Sequence, residues 1–276
     1  MNRQGKNGIE WCDYTWNPVT GCLHGCEYCY ARRQVNRFKG WTDDEGETHY
    51  DLILKPETQL RELSKPLYIA PKEKIGKWPK APYPFGFNPT FHRYRLDEPQ
   101  KIKKPQKIFA CSMADLFGDW VPDEWIGEVF KACEAAPWHK YLFLTKNPYR
   151  YLRLHIQGEL PQYSNFWYGT TLTGQGKLPF NCLDFKQNFI SLEPLLEGVS
   201  DKFPFTNIHW VIIGQQTGPG AIPPKSEWVQ SIIDQCREAG VPVFVKRPLY
   251  EQFPIQEWPE GLKEVKHNAI KENSIL

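Results

Sequence analysis

Residues 107–144, KIFACSMADLFGDWVPDEWIGEVFKACEAAPWHKYLFL, read as a strand, an amphipathic helix and a second strand. The runs at 107–112 and 140–144 are short and nearly all apolar, the pattern of strands buried on both faces. Between them, Trp125, Ile126, Val129, Phe130 and Cys133 recur at helical spacing over 123–136. Pro122 precedes this segment and Asp123 and Glu124 fill its first turn, which predicts a helix start. The unit repeats downstream. Residues 166–171, 188–192, 209–214 and 241–246 read as strands, and 148–155 and 226–239 as helices, with Ser226 as cap and Gly240 as stop. Upstream, 13–20 predicts a first strand and 30–37 a helix after it. Such alternation implies right-handed parallel crossovers.

Six to seven such units predict an α/β fold, a partial or complete TIM-type (β/α) barrel, as one domain over 1–276. A doubly wound open sheet is the alternative, because periodicity does not decide closure. An insertion at about 38–106 follows the first unit. Within it, Pro66, Pro71, Pro79, Pro82, Pro84, Pro89, Pro99 and Pro105 withhold backbone N–H groups and predict mostly loop. Tyr83, Phe85, Phe87, Phe91 and Tyr94 would anchor that loop, which has the length of a lid or binding segment.

The composition, 41% hydrophobic and 24% charged, is that of a globular protein. No apolar run approaches the roughly 20 residues of a membrane span, and the polar first residues lack a signal-peptide core. A soluble cytoplasmic protein with no membrane partner is expected. The formal net charge of +2 excludes an overall polyanion-binding signature. The charge is uneven, however. Residues 1–110 carry 19 Lys and Arg against 13 Asp and Glu, whereas 111–276 carry 15 against 19. The basic part suits a phosphate-bearing substrate or is a solvated surface.

Eight cysteines stand at 12, 22, 26, 29, 111, 133, 182 and 236, and three of them share the run Thr20-Gly21-Cys22-Leu23-His24-Gly25-Cys26-Glu27-Tyr28-Cys29-Tyr30. Three thiolates on one loop can hold three irons of a 4Fe–4S cluster and leave the fourth iron open, since cluster cysteines are usually four. Tyr28 adds a ring beside that position. Zinc is the alternative, but its tetrahedral structural sites want a fourth ligand, from His24, Cys12 or further away, and no second C-x2-C follows. Disulfides fit a clustered, signal-free chain least. Cys111, inside an apolar strand, reads as a buried inert thiol.

Polar residues recur at the strand ends, where barrel chemistry lies: Ser112 and Asp115, Thr145 and Lys146, Thr171 and Thr173, Ser191 and Glu193, Gly214 to Gln216, and Lys246 and Arg247. Lys146 and Lys246 are placed to neutralise a carboxylate or phosphate, or to be solvated. Glu193 is a hydrogen-bond acceptor for a ligand or the partner of a basic side chain.

The pattern C-x3-C-x-aromatic-C resembles the signature of radical S-adenosylmethionine (radical SAM) enzymes. In that superfamily the open iron chelates SAM's amino and carboxylate groups, the aromatic residue packs near adenine, and one electron splits SAM. Glu10-Trp11, the run from Thr15 to Cys22, Ser112-Met113-Ala114-Asp115-Leu116-Phe117, Leu144-Thr145-Lys146, Leu192-Glu193-Pro194-Leu195 and Val211-Ile212-Ile213-Gly214 follow in order. Together, over roughly residues 9–250, they resemble an uncharacterised family of phages and prophages, the phage three-cysteine-motif proteins. That family often has a longer gap between its first two cysteines, so the spacing here is nearer the general radical SAM form.

The resemblance implies Cys22, Cys26 and Cys29 as cluster ligands, and Tyr28, Lys146, Ser191, Glu193, Gly214 and Gln216 as contacts to SAM. The sequence departs from the superfamily at Cys111 to Asp115, where Gly-Gly-Glu is usual, and at Gln216, where glutamate is usual. Cys26-Glu27-Tyr28-Cys29-Tyr30 also resembles the cluster loop of spore photoproduct lyase. With the basic N-terminal part, this implies nucleic acid or a nucleotide as substrate and an external electron donor as partner. Rival expectations are a zinc-stabilised nucleic-acid-binding module without catalysis, its 66–106 aromatics stacking bases, and a cluster-bearing electron carrier.

Overall fold

Seven short apolar runs pair in chain order to form one parallel ladder. The computed structural model describes residues 1–5, 8–49, 60–70, 78–174 and 185–263; Pro71 and Cys182 lie outside them. The N-terminal part holds β1 (Asn2–Arg3), β2 (Tyr14–Trp16), β3 (Val19–Thr20), α1 (Tyr30–Val35), β4 (Trp41–Thr42), β5 (Thr48–His49), β6 (Arg61–Leu63) and β7 (Thr90–His92). Then come β8 (Lys107–Ala110), α2 (Asp123–Glu134), β9 (Lys140–Thr145), α3 (Tyr149–Ile156), β10 (Phe166–Leu172) and β11 (Asn188–Leu192). The last elements are β12 (Val211–Ile213), α4 (Ser226–Glu238) and β13 (Val243–Val245).

The main sheet has eight strands in the order β1-β2-β8-β9-β10-β11-β12-β13. β1 lies antiparallel on β2, and every other neighbour is parallel. The class is therefore α/β with a mostly parallel sheet. Its order follows the chain, without the reversal that marks a doubly wound sheet.

Alternating side chains give each strand two apolar faces. Phe143, Tyr168, Ile190 and Val211 pack outward on Val129 and Phe130 of α2 and Val229 and Ile232 of α4. Phe109, Leu142, Trp167, Phe189, Ile212 and Phe244 gather on the other face with Trp11 and Trp210. That inner face is strongly curved. In a flat sheet β11 would stand four spacings, about 19 Å, from β2. Trp11, just before β2, nevertheless lies 6.1 Å from Phe189 in β11 and 6.5 Å from Trp210, ring to ring. Among the described residues no ladder joins β13 to β1 or β2. Instead the Glu10 carboxylate bridges the seam, accepting from the Arg247 N–H and from Gln256 Nε2, each at 2.9 Å.

Two local expectations need correction. Residues 13–20 do not make one strand: the chain is interrupted at Asn17-Pro18, where Pro18 has no N–H to give. Val19 and Thr20 leave the main sheet and pair with β7, which pairs in turn with β6. The described part of the 66–106 stretch is mostly loop, as its prolines predict, with β7 in the small sheet and Tyr83 and Phe91 as buried anchors. Ser226 is not the cap of α4: Lys225 precedes the helix without a capping side chain, and Ser226 Oγ accepts from Gln252 Nε2 at 2.7 Å. No helix among the described residues is long and apolar enough to cross a membrane.

Candidate metal centre

β3 delivers the chain into the cysteine loop through Gly21. Its φ of +85° is left-handed, and a Cβ there would lie 2.3 Å from the Asn88 carbonyl oxygen, so only glycine fits. Gly21 N–H donates to Met113 O at 2.9 Å and Cys22 N–H to Phe87 O at 3.2 Å. The small sheet and the end of β8 thereby seat the loop from both sides. Gly25, at φ +70°, makes a second left-handed step. Cys29 N–H then donates to Cys26 O at 3.3 Å, closing a turn. Cys29 is also the N-cap of α1, its Sγ accepting from Arg32 N–H at 3.3 Å.

All three cysteines line one cavity of about 630 Å³. Its other walls come from Trp11 and from the ends of strands β8 to β13. Tyr28 is on the wall, hydrogen-bonded to the Cys26 side chain, with Lys146 Nζ 5.9 Å from its ring centre. Ser191 lies on the wall and is 1% exposed; its Oγ has no hydrogen-bond partner among the described residues, and neither has Trp11 Nε1. Glu193 is ion-paired to Lys246, the end of β11 to the end of β13. Gln216 also lines the cavity. Gly214 has a different place: a Cβ on it would meet Glu193 Cδ at 2.9 Å and Cγ at 3.0 Å. Its bare backbone makes room for the Glu193 side chain.

The loop carries one further attachment that spacing does not reveal. His24 Nε2 meets Asp115 Oδ2 at 2.7 Å, and the His24 ring stands edge-on to Trp120 at 4.8 Å. Asp115 also accepts from Thr145 Oγ1 (2.7 Å), Lys146 N–H (2.8 Å) and Phe117 N–H (3.0 Å). Burial pushes its carboxyl pKa up, but the bonds from His24, Lys146 N–H and Thr145 outweigh that and leave it below the usual value. Asp115 therefore joins the cysteine loop to the ends of β8 and β9. Sequence reading places it at the rim but shows neither its partners nor its burial.

A model of proteins of unknown function (DUF5131) matches residues 6–255. The chain belongs to that family. Searches of curated proteins and of solved structures each found no match. The family span takes in the seam residue Glu10, the cysteine loop, Asp115 and the strand ends through Lys246.

Among the described residues, no three His, Cys, Asp or Glu side chains are gathered closely enough to hold a single metal ion. Tetrahedral zinc would bring thiolate sulfurs to about 3.8 Å from one another, given Zn–S bonds of about 2.3 Å. Of the nearer candidates for a fourth ligand, His24 gives Nε2 to Asp115, which leaves Nδ1 as its ligating nitrogen. Cys12 is buried, directs its Sγ to Ile9 O at 3.9 Å, and has its thiol pKa raised to about 12 by burial. The Cys22 thiol is likewise pushed up to about 12, first by burial and then by Asp115, Cys29 and Cys26.

Proposed function

We propose that this protein is a radical SAM enzyme, with a 4Fe–4S cluster on Cys22, Cys26 and Cys29 and SAM in the adjoining cavity. The observation that carries the reading is the sharing of one cavity by three thiols of a single loop and by Lys146, Ser191 and Glu193, which come from the ends of different strands. Cluster thiolates bind separate irons, so they stand wider apart than the ligands of one ion. A cluster held by these three cysteines alone would leave its fourth iron open to the cavity they line.

Cys22, Cys26 and Cys29 would hold the cluster, whose chemistry when bound would be one-electron reductive cleavage of SAM for hydrogen abstraction from a substrate. The chain's own residues bind and orient. Lys146 brings positive charge to SAM's carboxylate. Glu193 accepts from its ammonium or ribose hydroxyls by exchanging part of the contact with Lys246. Ser191 Oγ offers a buried hydroxyl with no competing partner among the described residues. Tyr28 and Trp11 keep water from the reacting carbon. The curled sheet is read as a partial barrel, in which such loops share one end. The reading places the protein in the cytoplasm with an external electron donor.

Anaerobic reconstitution with iron and sulfide should give the broad visible absorption of a cluster, and dithionite with SAM should release 5′-deoxyadenosine. Cys22→Ala, Cys26→Ala and Cys29→Ala should each abolish the release. A protein that takes up zinc but no cluster, and leaves SAM intact, is not this enzyme.

A further inference from the structure

We propose that the mouth of the cavity binds a single strand of nucleic acid and admits one of its nucleotides. That the strand is a substrate, not only a ligand, rests on the radical SAM reading.

Helix α1 forms one lip of the mouth, since its Ala31 and Gln34 line the cavity. On that helix and just beyond it, Arg32 and Arg37 are exposed and Arg33 is half-buried. None of the three has a carboxylate partner among the described residues. By contrast, Arg93 is held by Glu62, Glu124 and Glu128, Arg150 by Asp123, and Arg237 by Glu257. The α1 cations are nonetheless positioned. The Arg32 guanidinium lies over the Phe87 ring at 5.0 Å, and Arg33 Nη2 donates to Thr217 O at 2.7 Å. The two carboxylates on the cavity wall are taken, Glu193 by Lys246 and Asp115 by His24, and Glu27 is the exposed acid of the loop.

Exposed rings flank these charges. Tyr30 and Phe38, 46% and 51% exposed, stand on either side of the arginines in the chain, and the Tyr30 hydroxyl donates to Ser112 O at 2.6 Å. Cations that track phosphates beside rings that stack bases are the two parts of a single-strand site. The overall charge of +2 makes this a local field rather than a property of the whole surface. Volume sets the stoichiometry. About 630 Å³ lies within the range for one small ligand. With a cluster and SAM inside, the remainder takes at most part of one nucleotide and excludes a duplex, so the target must leave its stack.

The test uses the full-length reconstituted protein and fluorescein-labelled single-stranded DNA and RNA of one sequence, with anisotropy read across a salt series. Binding at low salt that weakens as salt rises is expected, and the tighter arm identifies the strand. The Arg32→Ala/Arg37→Ala pair should lower the log–log salt slope by about 1.4, at about 0.7 per phosphate contact on a single strand. The Arg32→Lys/Arg37→Lys pair should keep the slope. No binding of either strand at low salt, an unchanged slope in the alanine pair, or equal affinity for a duplex overturns the proposal. SAM cleavage without nucleic acid, measured on the same preparations, reports the cofactor reading separately: its absence with strand binding intact sinks that reading and leaves the surface standing.

Discussion

His24 and Asp115, 91 residues apart in the chain, meet at 2.7 Å and tie the cysteine loop to the strand ends. Asp115 is buried and accepts four hydrogen bonds, so Asp115→Asn should cost about 1–3 kcal/mol at neutral pH. The pH dependence has a definite sign. A folded pKa below the unfolded one gives stability that is complete above the unfolded value, near 3.9, and is lost as pH falls through the folded value. Thermal melts of wild type and Asp115→Asn should therefore differ at neutral pH and converge in acid below that range. A constant difference throughout would mean that the carboxylate's charge does not matter.

The two left-handed glycines of the loop should respond differently to alanine. Gly21→Ala adds the cost of a left-handed residue, about 1–2 kcal/mol, to a clash with the Asn88 backbone that no side-chain rotation relieves. Gly25→Ala carries only the conformational cost, because nothing lies within 4 Å of its Cβ. Iron incorporation should fall severely in Gly21→Ala and survive in Gly25→Ala. Equal losses would show that the seating of β3 against Asn88 does not govern the loop.

Gly214 is paired in function with Glu193. Gly214→Ala drives a methyl against the Glu193 carboxyl arm, which is flexible, so the melting temperature should change little. The displaced carboxylate should loosen from Lys246, and KM for SAM should rise about tenfold, the effect of about 1.4 kcal/mol of lost binding. Glu193→Gln should raise KM in the same direction. If Gly214→Ala leaves KM unchanged, the geometry of Glu193 is not part of SAM binding.

The parts of this molecule legible in its sequence are those set by local periodicity. β8 to β11 lie where apolar runs of four or more residues place them, and α2 starts at Asp123, as its proline and first-turn acids predict. The three cysteines announce themselves by spacing. What stayed hidden depends on partners far along the chain. β3 and β7 are two- and three-residue strands formed by pairing with each other and, for β7, with β6 as well. Lys246 gives no sign of reaching Glu193, 53 residues earlier. Trp11 carries no periodic signal, yet the curl of the sheet brings strands β8, β11 and β12 around it.

The Cys22 thiol offers a probe of the loop before any metal is present. Burial holds its pKa near 12, against about 8.5 for an unfolded cysteine. At about pH 8 the thiolate fraction is then roughly 1 in 10⁴ when folded and about one quarter when unfolded. Since only the thiolate is alkylated, iodoacetamide should modify Cys22 roughly 2,500-fold more slowly in the folded metal-free protein than in urea. Peptide mapping by mass spectrometry reads this directly. The same proton must leave when iron binds, so the rate of cluster assembly should climb as pH is raised from about 7 to about 8.5. Rapid alkylation in the folded protein together with pH-independent assembly would mean that Cys22 stands open to solvent as a thiolate, outside the buried wall on which the cluster reading depends.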